Sequence, residues 1–220
     1  MNPAGAAPPT SRLTMLKSAP LVAGAFALAM LLGSPAAGET IDHAATRFDV
    51  DQCRHKQGRE PEDYGEWRCA GYAGVAVVMT AGDQRIYVSY GPHAKREPAA
   101  TQTLGAPNGE GRSIEWRMVR GPGRKGRPFA TIMRWTTAVV ADDPKVERGV
   151  HRGEVLVVTR LGPGGVCHVG YVDGRQNPDA NTLARAIADR HARAFRCGKD
   201  KPIVLGDKGP GFSGPYGGGD

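Results

Sequence analysis

Four cysteines, Cys53, Cys69, Cys167 and Cys197, constrain this chain more than any other feature, because the N-terminus reads as an export signal. Arg12 and Lys17 form a positive start, followed by the apolar run "APLVAGAFALAMLLG" (Ala19–Gly33). "SPAAGE" then offers small residues for cleavage after Ala36, Ala37 or Gly38. That order is the pattern of a secretory signal peptide, here residues 1–38, and the run is short for a membrane span, which needs about 20 apolar residues. The mature chain is therefore expected in the periplasm or outside the cell, with no transmembrane span. An even cysteine count in an oxidising compartment points to disulfides. Proximity in sequence favours Cys53–Cys69 and Cys167–Cys197.

Charge bounds the partners. Without residues 1–38 the chain carries 27 Lys and Arg against 22 Asp and Glu. This modest excess, spread along the chain, favours an acidic protein or an anionic envelope polymer and singles out no nucleic acid. About 180 residues suit one domain, expected over 39–205. The 31 glycines and 17 prolines imply many turns. "GDKGPGFSGPYGGGD" (Gly206–Asp220) has seven glycines and reads as a disordered tail, since so little apolar surface cannot offset the entropy of ordering it. Glu39–Thr46 shows no strong pattern.

Between these ends the hydrophobic period is that of strands. "YAGVAVVMT" and "QRIYVSY" form one hairpin around Ala81–Asp83. "SIEWRMV" alternates, with Ile114, Trp116 and Met118 on one face and Glu115 and Arg117 on the other. "PFATIMRWT" returns with Phe129, Met133 and Trp135 sharing a face. "EVLVVTRL" is apolar on both faces, as a central strand would be, and "GPGG" turns the chain into Val166–Asp173. One helix follows, with Asn177 as N-cap, Pro178 at its first position and a stop at Gly198. Its apolar stripe is Leu183, Ile187, His191, Ala194 and Phe195. These elements predict a two-layer α+β fold: an antiparallel meander of about six strands, with one C-terminal amphipathic helix on a face and disulfides as staples. Cys167, Val169 and Tyr171 share the face that the helix covers, so a bridge to Cys197 joins helix to strand.

The pair Cys167–His168 is the one place where a thiol and an imidazole adjoin. Neighbours on a strand point to opposite faces, so the two cannot meet, and activating a thiol needs contact at about 3 Å. The chain has no CxxC and no HExxH, so neither metal nor cofactor is expected. "GAPNGEG" lies between no strand and helix and is not a phosphate loop. The most suggestive surface is "RGPGRKGRP", which puts Arg120, Arg124, Lys125 and Arg127 on a hairpin tip able to grip phosphate or sulfate groups. A solvated turn is the reading favoured over a binding tip, since no aromatic platform accompanies the charge.

"GEWRCAGYAGVAVVM" (Gly65–Met79), with "PFATIMRW" and "ANTLARAIADRHARAFRC", resembles uncharacterised exported proteins of proteobacteria with paired cysteines. The resemblance spans roughly Phe48 to Gly198 and implies export without implying an activity. Two functions stay open. One is a periplasmic binding or inhibitor-like module using its sheet and hairpin loops. The other is an envelope hydrolase with an unrecognised site, for which a carboxylate of strongly raised pKa in a cleft would be the sign.

Overall fold

A computed structural model describes residues 39–59, 63–121, 126–140 and 149–217. Residues 1–38, read above as a signal peptide, lie outside the described residues, as do Arg124 and Lys125. The strands in chain order are β1 (Thr40–Arg47), β2 (Arg54–Lys56), β3 (Asp63–Ala70), β4 (Ala76–Gly82), β5 (Arg85–Tyr90), β6 (Thr103–Leu104), β7 (Asn108–Gly109), β8 (Ser113–Arg120), β9 (Arg127–Val140), β10 (Val150–Arg160) and β11 (Cys167–Asp173). Helix α1 (Ala180–Ile187) follows, then β12 (Ile203–Val204) and β13 (Pro215–Tyr216).

The protein is mostly β, with one short C-terminal helix, but it is not a single six-stranded meander. The central sheet has seven strands, six of them in the order β1-β8-β9-β10-β11-β12, with β7 pairing the end of β9 beyond β8. It is mixed, because β11 and β12 run parallel while the other pairs are antiparallel. A second sheet is the four-stranded meander β2-β3-β4-β5, and β6 and β13 form a small third. The expected two layers are thus three. One face of the central sheet buries Trp116, Met133, Trp135, Val155, Val157 and Tyr171 against Val77, Met79, Ile86, Val88 and Tyr90 of the second sheet. Its other face buries Ile132, Leu156, Val158 and Val169 against Ala184, Ile187 and Ala188 of the helical layer. This is why "EVLVVTRL" is apolar throughout: β10 is central and covered on both sides.

Local chemistry accounts for several elements. β4 and β5 join through Asp83 and Gln84, both at positive φ, the geometry of a two-residue hairpin turn. Gly71 lets the chain pass flat against Trp116, since a Cβ there would lie 2.5 Å from the Val75 carbonyl and 2.7 Å from the indole. Trp67 packs on the same core and stacks on His55 with ring centroids 4.5 Å apart.

Two bulges overturn the expected faces. Pairing of β8 with β9 passes from Arg117–Ala130 to Met118–Pro128, so Phe129 is an extra residue and turns to the helical side, away from Met133 and Trp135. Pairing of β10 with β11 passes from Val158–Gly170 to Thr159–His168, leaving Val169 extra. Tyr171 therefore joins the inter-sheet core while Cys167 and Val169 face the helix.

The helix differs in its start and its stripe. It is ordered from Ala180, with Asp179 at the cap position. Asn177 instead ties two segments together, donating to the carbonyls of Asp173 at 3.0 Å and Asp207 at 2.8 Å and accepting from the Asp207 N–H at 2.9 Å. A π-helical turn, Ala188–Ala192, inserts extra rotation and shifts the buried stripe to Ala188, Ala192 and Phe195, leaving His191 exposed. Glu115 and Arg117, on the face opposite Ile114 and Trp116 as their alternation predicts, are covered by this helix. Arg117 donates to both oxygens of Asp189 at 2.9 and 2.7 Å and to Glu115 at 3.1 Å, and Arg185 grips both oxygens of Glu115 at 2.8 Å. Burial raises the Glu115 pKa, but its bonds and charge contacts with Arg185 and Arg117 outweigh this and hold it below the usual carboxylate value.

The ends also depart from expectation. Glu39–Thr46, read as loose, forms β1 with an eight-residue register against β8. The segment from Gly206, read as a disordered tail, packs back onto the fold as far as Gly217. Gly211 crosses Gly153 so closely that a Cβ on Gly153 would collide with the Gly211 carbonyl. Thr137 Oγ1 donates to that carbonyl at 2.6 Å, Gly209 N–H to Asp173 at 2.8 Å and Ala106 N–H to Ser213 at 2.8 Å. Phe212 packs on the inter-sheet core. Glycine content here permits backbone-on-backbone packing rather than preventing order. Truncation after Leu205 is expected to lower the melting temperature by about 5–10 °C, at about 2–4 °C for each kcal/mol in a domain of this size. A thermal scan of the truncated protein that overlays the full chain would show the segment to be dispensable.

Candidate functional site

Both disulfides form with the partners expected from proximity. Cys53–Cys69 joins the stretch before β2 to β3, with Cα atoms 4.6 Å apart. Cys167–Cys197 joins the start of β11 to the segment after the helix, with Cα atoms 5.8 Å apart. Cys167 is therefore no nucleophile. No group of three or more His, Cys, Asp and Glu able to hold a metal occurs among the described residues. No helix among them is long and apolar enough to cross a membrane.

His168 faces away from Cys167 into the inter-sheet core. The bulge at Val169 places it on the same side as Tyr171, three residues on, although such residues face opposite ways on a regular strand. Its Nδ1 lies 2.8 Å from the Tyr171 hydroxyl, and its ring meets Trp135 edge-on at 5.6 Å. Burial lowers the imidazole to about 3 and pushes the Tyr171 hydroxyl up. Tyr90, buried in the same core, is pushed up to about 12 by burial, against a smaller opposing effect of the Thr131 hydroxyl. A base so weak, in a closed core, is mismatched to proton transfer near neutral pH. This polar row organises the core rather than a reaction.

The basic hairpin divides. Arg120 points toward β1, its Nε 2.6 Å from Asp42. Arg127 turns the other way and lines a cleft of about 490 Å³ with Arg160, Arg193 and Glu39. The apolar part of the wall comes from Val119, Pro128, Phe129, Leu161 and Pro163. Each guanidinium arrives on a different element. Arg127 opens β9, Arg160 closes β10, and Arg193 follows the π-helical turn. Arg193 lies over the Phe129 ring, 5.5 Å from its centroid, and binds Glu39 at 3.0 Å.

Arg160 is the unusual member. It is only 8% exposed. Its Nη1 donates to the carbonyls of Gly165 at 2.6 Å and Gly162 at 3.5 Å, and its Nη2 to that of Pro163 at 2.6 Å. Its Nε is buried with no hydrogen-bond partner among the described residues. No carboxylate among them lies within ion-pair distance. A guanidinium has five N–H donors, so two remain unused. A buried charge without a counter-charge is costly, and three carbonyl dipoles replace only part of its lost hydration. The cleft sets three guanidiniums against the single carboxylate of Glu39. It is electropositive and half apolar, suited to an anion rather than to acid–base chemistry.

Of the four basic residues expected at the tip, two are described: Arg127 lines this cleft and Arg120 is engaged elsewhere, while Arg124 and Lys125 lie outside the described residues. Sequence reasoning missed Arg160 and Arg193. The available signal for Arg160 was its charge inside "VLVVTRL", where every neighbour is uncharged. Compared with protein-family models, with curated proteins and with solved structures, the chain matches none.

Proposed function

We propose that this protein is an exported binding module, periplasmic or secreted, that recognises an anionic group at the Arg127–Arg160–Arg193 cleft. The observation that carries this reading is Arg160, a buried guanidinium at the wall of an electropositive cleft with no carboxylate among the described residues within ion-pair distance of it. An anion in the cleft would offset that charge. The two disulfides and the N-terminal export pattern support the compartment. Against the hydrolase reading, the carboxylates among the described residues whose ionisation is displaced, Asp42, Glu115 and Asp200, are all displaced downward, which suits ion pairs rather than a general acid.

Inorganic phosphate is expected to raise the melting temperature of the wild type, by about 3–5 °C at tenfold its dissociation constant, relative to chloride at equal ionic strength. Arg160→Met should lose that gain. Arg127→Ser, an exposed change that leaves the core untouched, should reduce it. Equal stabilisation of all three proteins by phosphate would remove the cleft from the function.

A further inference from the structure

We infer that the cleft takes a single anionic amphiphile, a phosphate or carboxylate head joined to one alkyl chain; this rests on the anion-binding reading above. An anion site alone needs donors and positive charge. This cleft also carries a continuous apolar wall, and the fold departs from regularity to build it. Phe129 reaches the cleft only because the bulge opposite Arg117 and Met118 makes it an extra residue and turns it to the helical side. Leu161 and Val119 extend the same wall.

Charged and apolar parts adjoin. Arg193 lies over the Phe129 ring at 5.5 Å, so a head paired with this guanidinium would start its chain along the aromatic face. The volume of about 490 Å³ is in the range of sites that enclose small organic ligands and far more than an inorganic anion occupies. Glu39 at Arg193 shows that a carboxylate can be accommodated at the cleft edge, and the ligand head would exchange with it.

The test is a calorimetric titration of the full mature chain with methyl, butyl and octyl phosphate, all below micelle-forming concentrations. Affinity is expected to rise about threefold or more for each methylene buried along the wall. Val119→Ser should flatten that rise, costing octyl phosphate more affinity than methyl phosphate; Arg127→Ser should weaken every member of the series alike. Octyl phosphate binding no tighter than methyl phosphate overturns the amphiphile and leaves the anion site standing. Octanol binding as tightly as octyl phosphate, or no binding by any phosphate, overturns both. Capture by phosphatidylglycerol vesicles without binding of monomeric octyl phosphate means the surface reads a membrane and overturns the single-ligand proposal.

Discussion

Between pH 7 and pH 5 the domain is expected to lose about 2 kcal/mol of stability through His168 alone, a fall of about 4–8 °C in melting temperature. The imidazole is fully buried, and burial holds it at about 3 against an ordinary value of 6.5. Above pH 6.5 it is neutral whether the chain is folded or not, and its neutrality costs nothing. As the pH falls below 6.5 the unfolded chain takes a proton that the folded chain refuses, so stability drops by up to about 1.4 kcal/mol for each pH unit. The drop continues down to about pH 3, where the folded state also protonates. Glu115 acts with the same sign but lower down: its depressed pKa contributes stability above the ordinary carboxylate range that is lost below it. The window from pH 7 to pH 5 therefore isolates the histidine. His168→Gln retains a partner for the Tyr171 hydroxyl and should flatten this part of the stability profile, at the expense of a lower plateau. A variant whose melting temperature falls between pH 7 and 5 as steeply as the wild type would assign the acid sensitivity elsewhere.

Replacing Cys167 and Cys197 together by alanine should destabilise the protein by about 3–4 kcal/mol and lower its melting temperature by about 7–15 °C. The bridge closes a separation of 30 residues that contains β11, the turn and the whole helical layer. Cross-linking this span removes much of the freedom of the unfolded chain. The folded state loses something as well. Cys167 and Cys197 belong to the core between helix and sheet, and Arg193 is four residues before Cys197 in the chain. Phosphate stabilisation should therefore weaken in this double variant. The corresponding loss for Cys53 and Cys69 is expected to be smaller, because that bridge spans only 16 residues. Thermal scans of the two double variants, set beside the reduced wild type, decide the order. A Cys167/Cys197 variant that melts with the wild type would make the ion network of Arg117, Asp189, Glu115 and Arg185 the dominant attachment of the helix.

Much of the architecture is written locally. Alternation and turn chemistry in β4–β5, β8–β9 and β10–β11 are properties of short stretches, so each hairpin was legible before any fold was known. Double-sided apolarity marked β10 as central for the same reason: a strand covered on both faces has no polar positions to spare. The paired cysteines were legible because few pairings exist and an even cysteine count behind an export-like N-terminus points to oxidation.

What tertiary structure decided was long-range pairing. β1 carries no periodic signal, since an edge strand half open to solvent has little apolar face to show, and its place was set by β8, some seventy residues on. The Gly206–Gly217 segment orders because a neighbouring backbone accepts it at Gly153, which no local composition announces. The bulges at Phe129 and Val169 arise from register between strands, and they set which side chains meet. One brings His168 to Tyr171, and the other brings Phe129 to Arg193. The cleft follows from both kinds of information. Arg127 was visible in a basic turn, whereas Arg160 and Arg193 became neighbours only when a strand end, a hairpin and a helix packed together. A guanidinium without a counter-charge is a property of that three-dimensional environment, because burial and pairing belong to the fold and not to any residue alone.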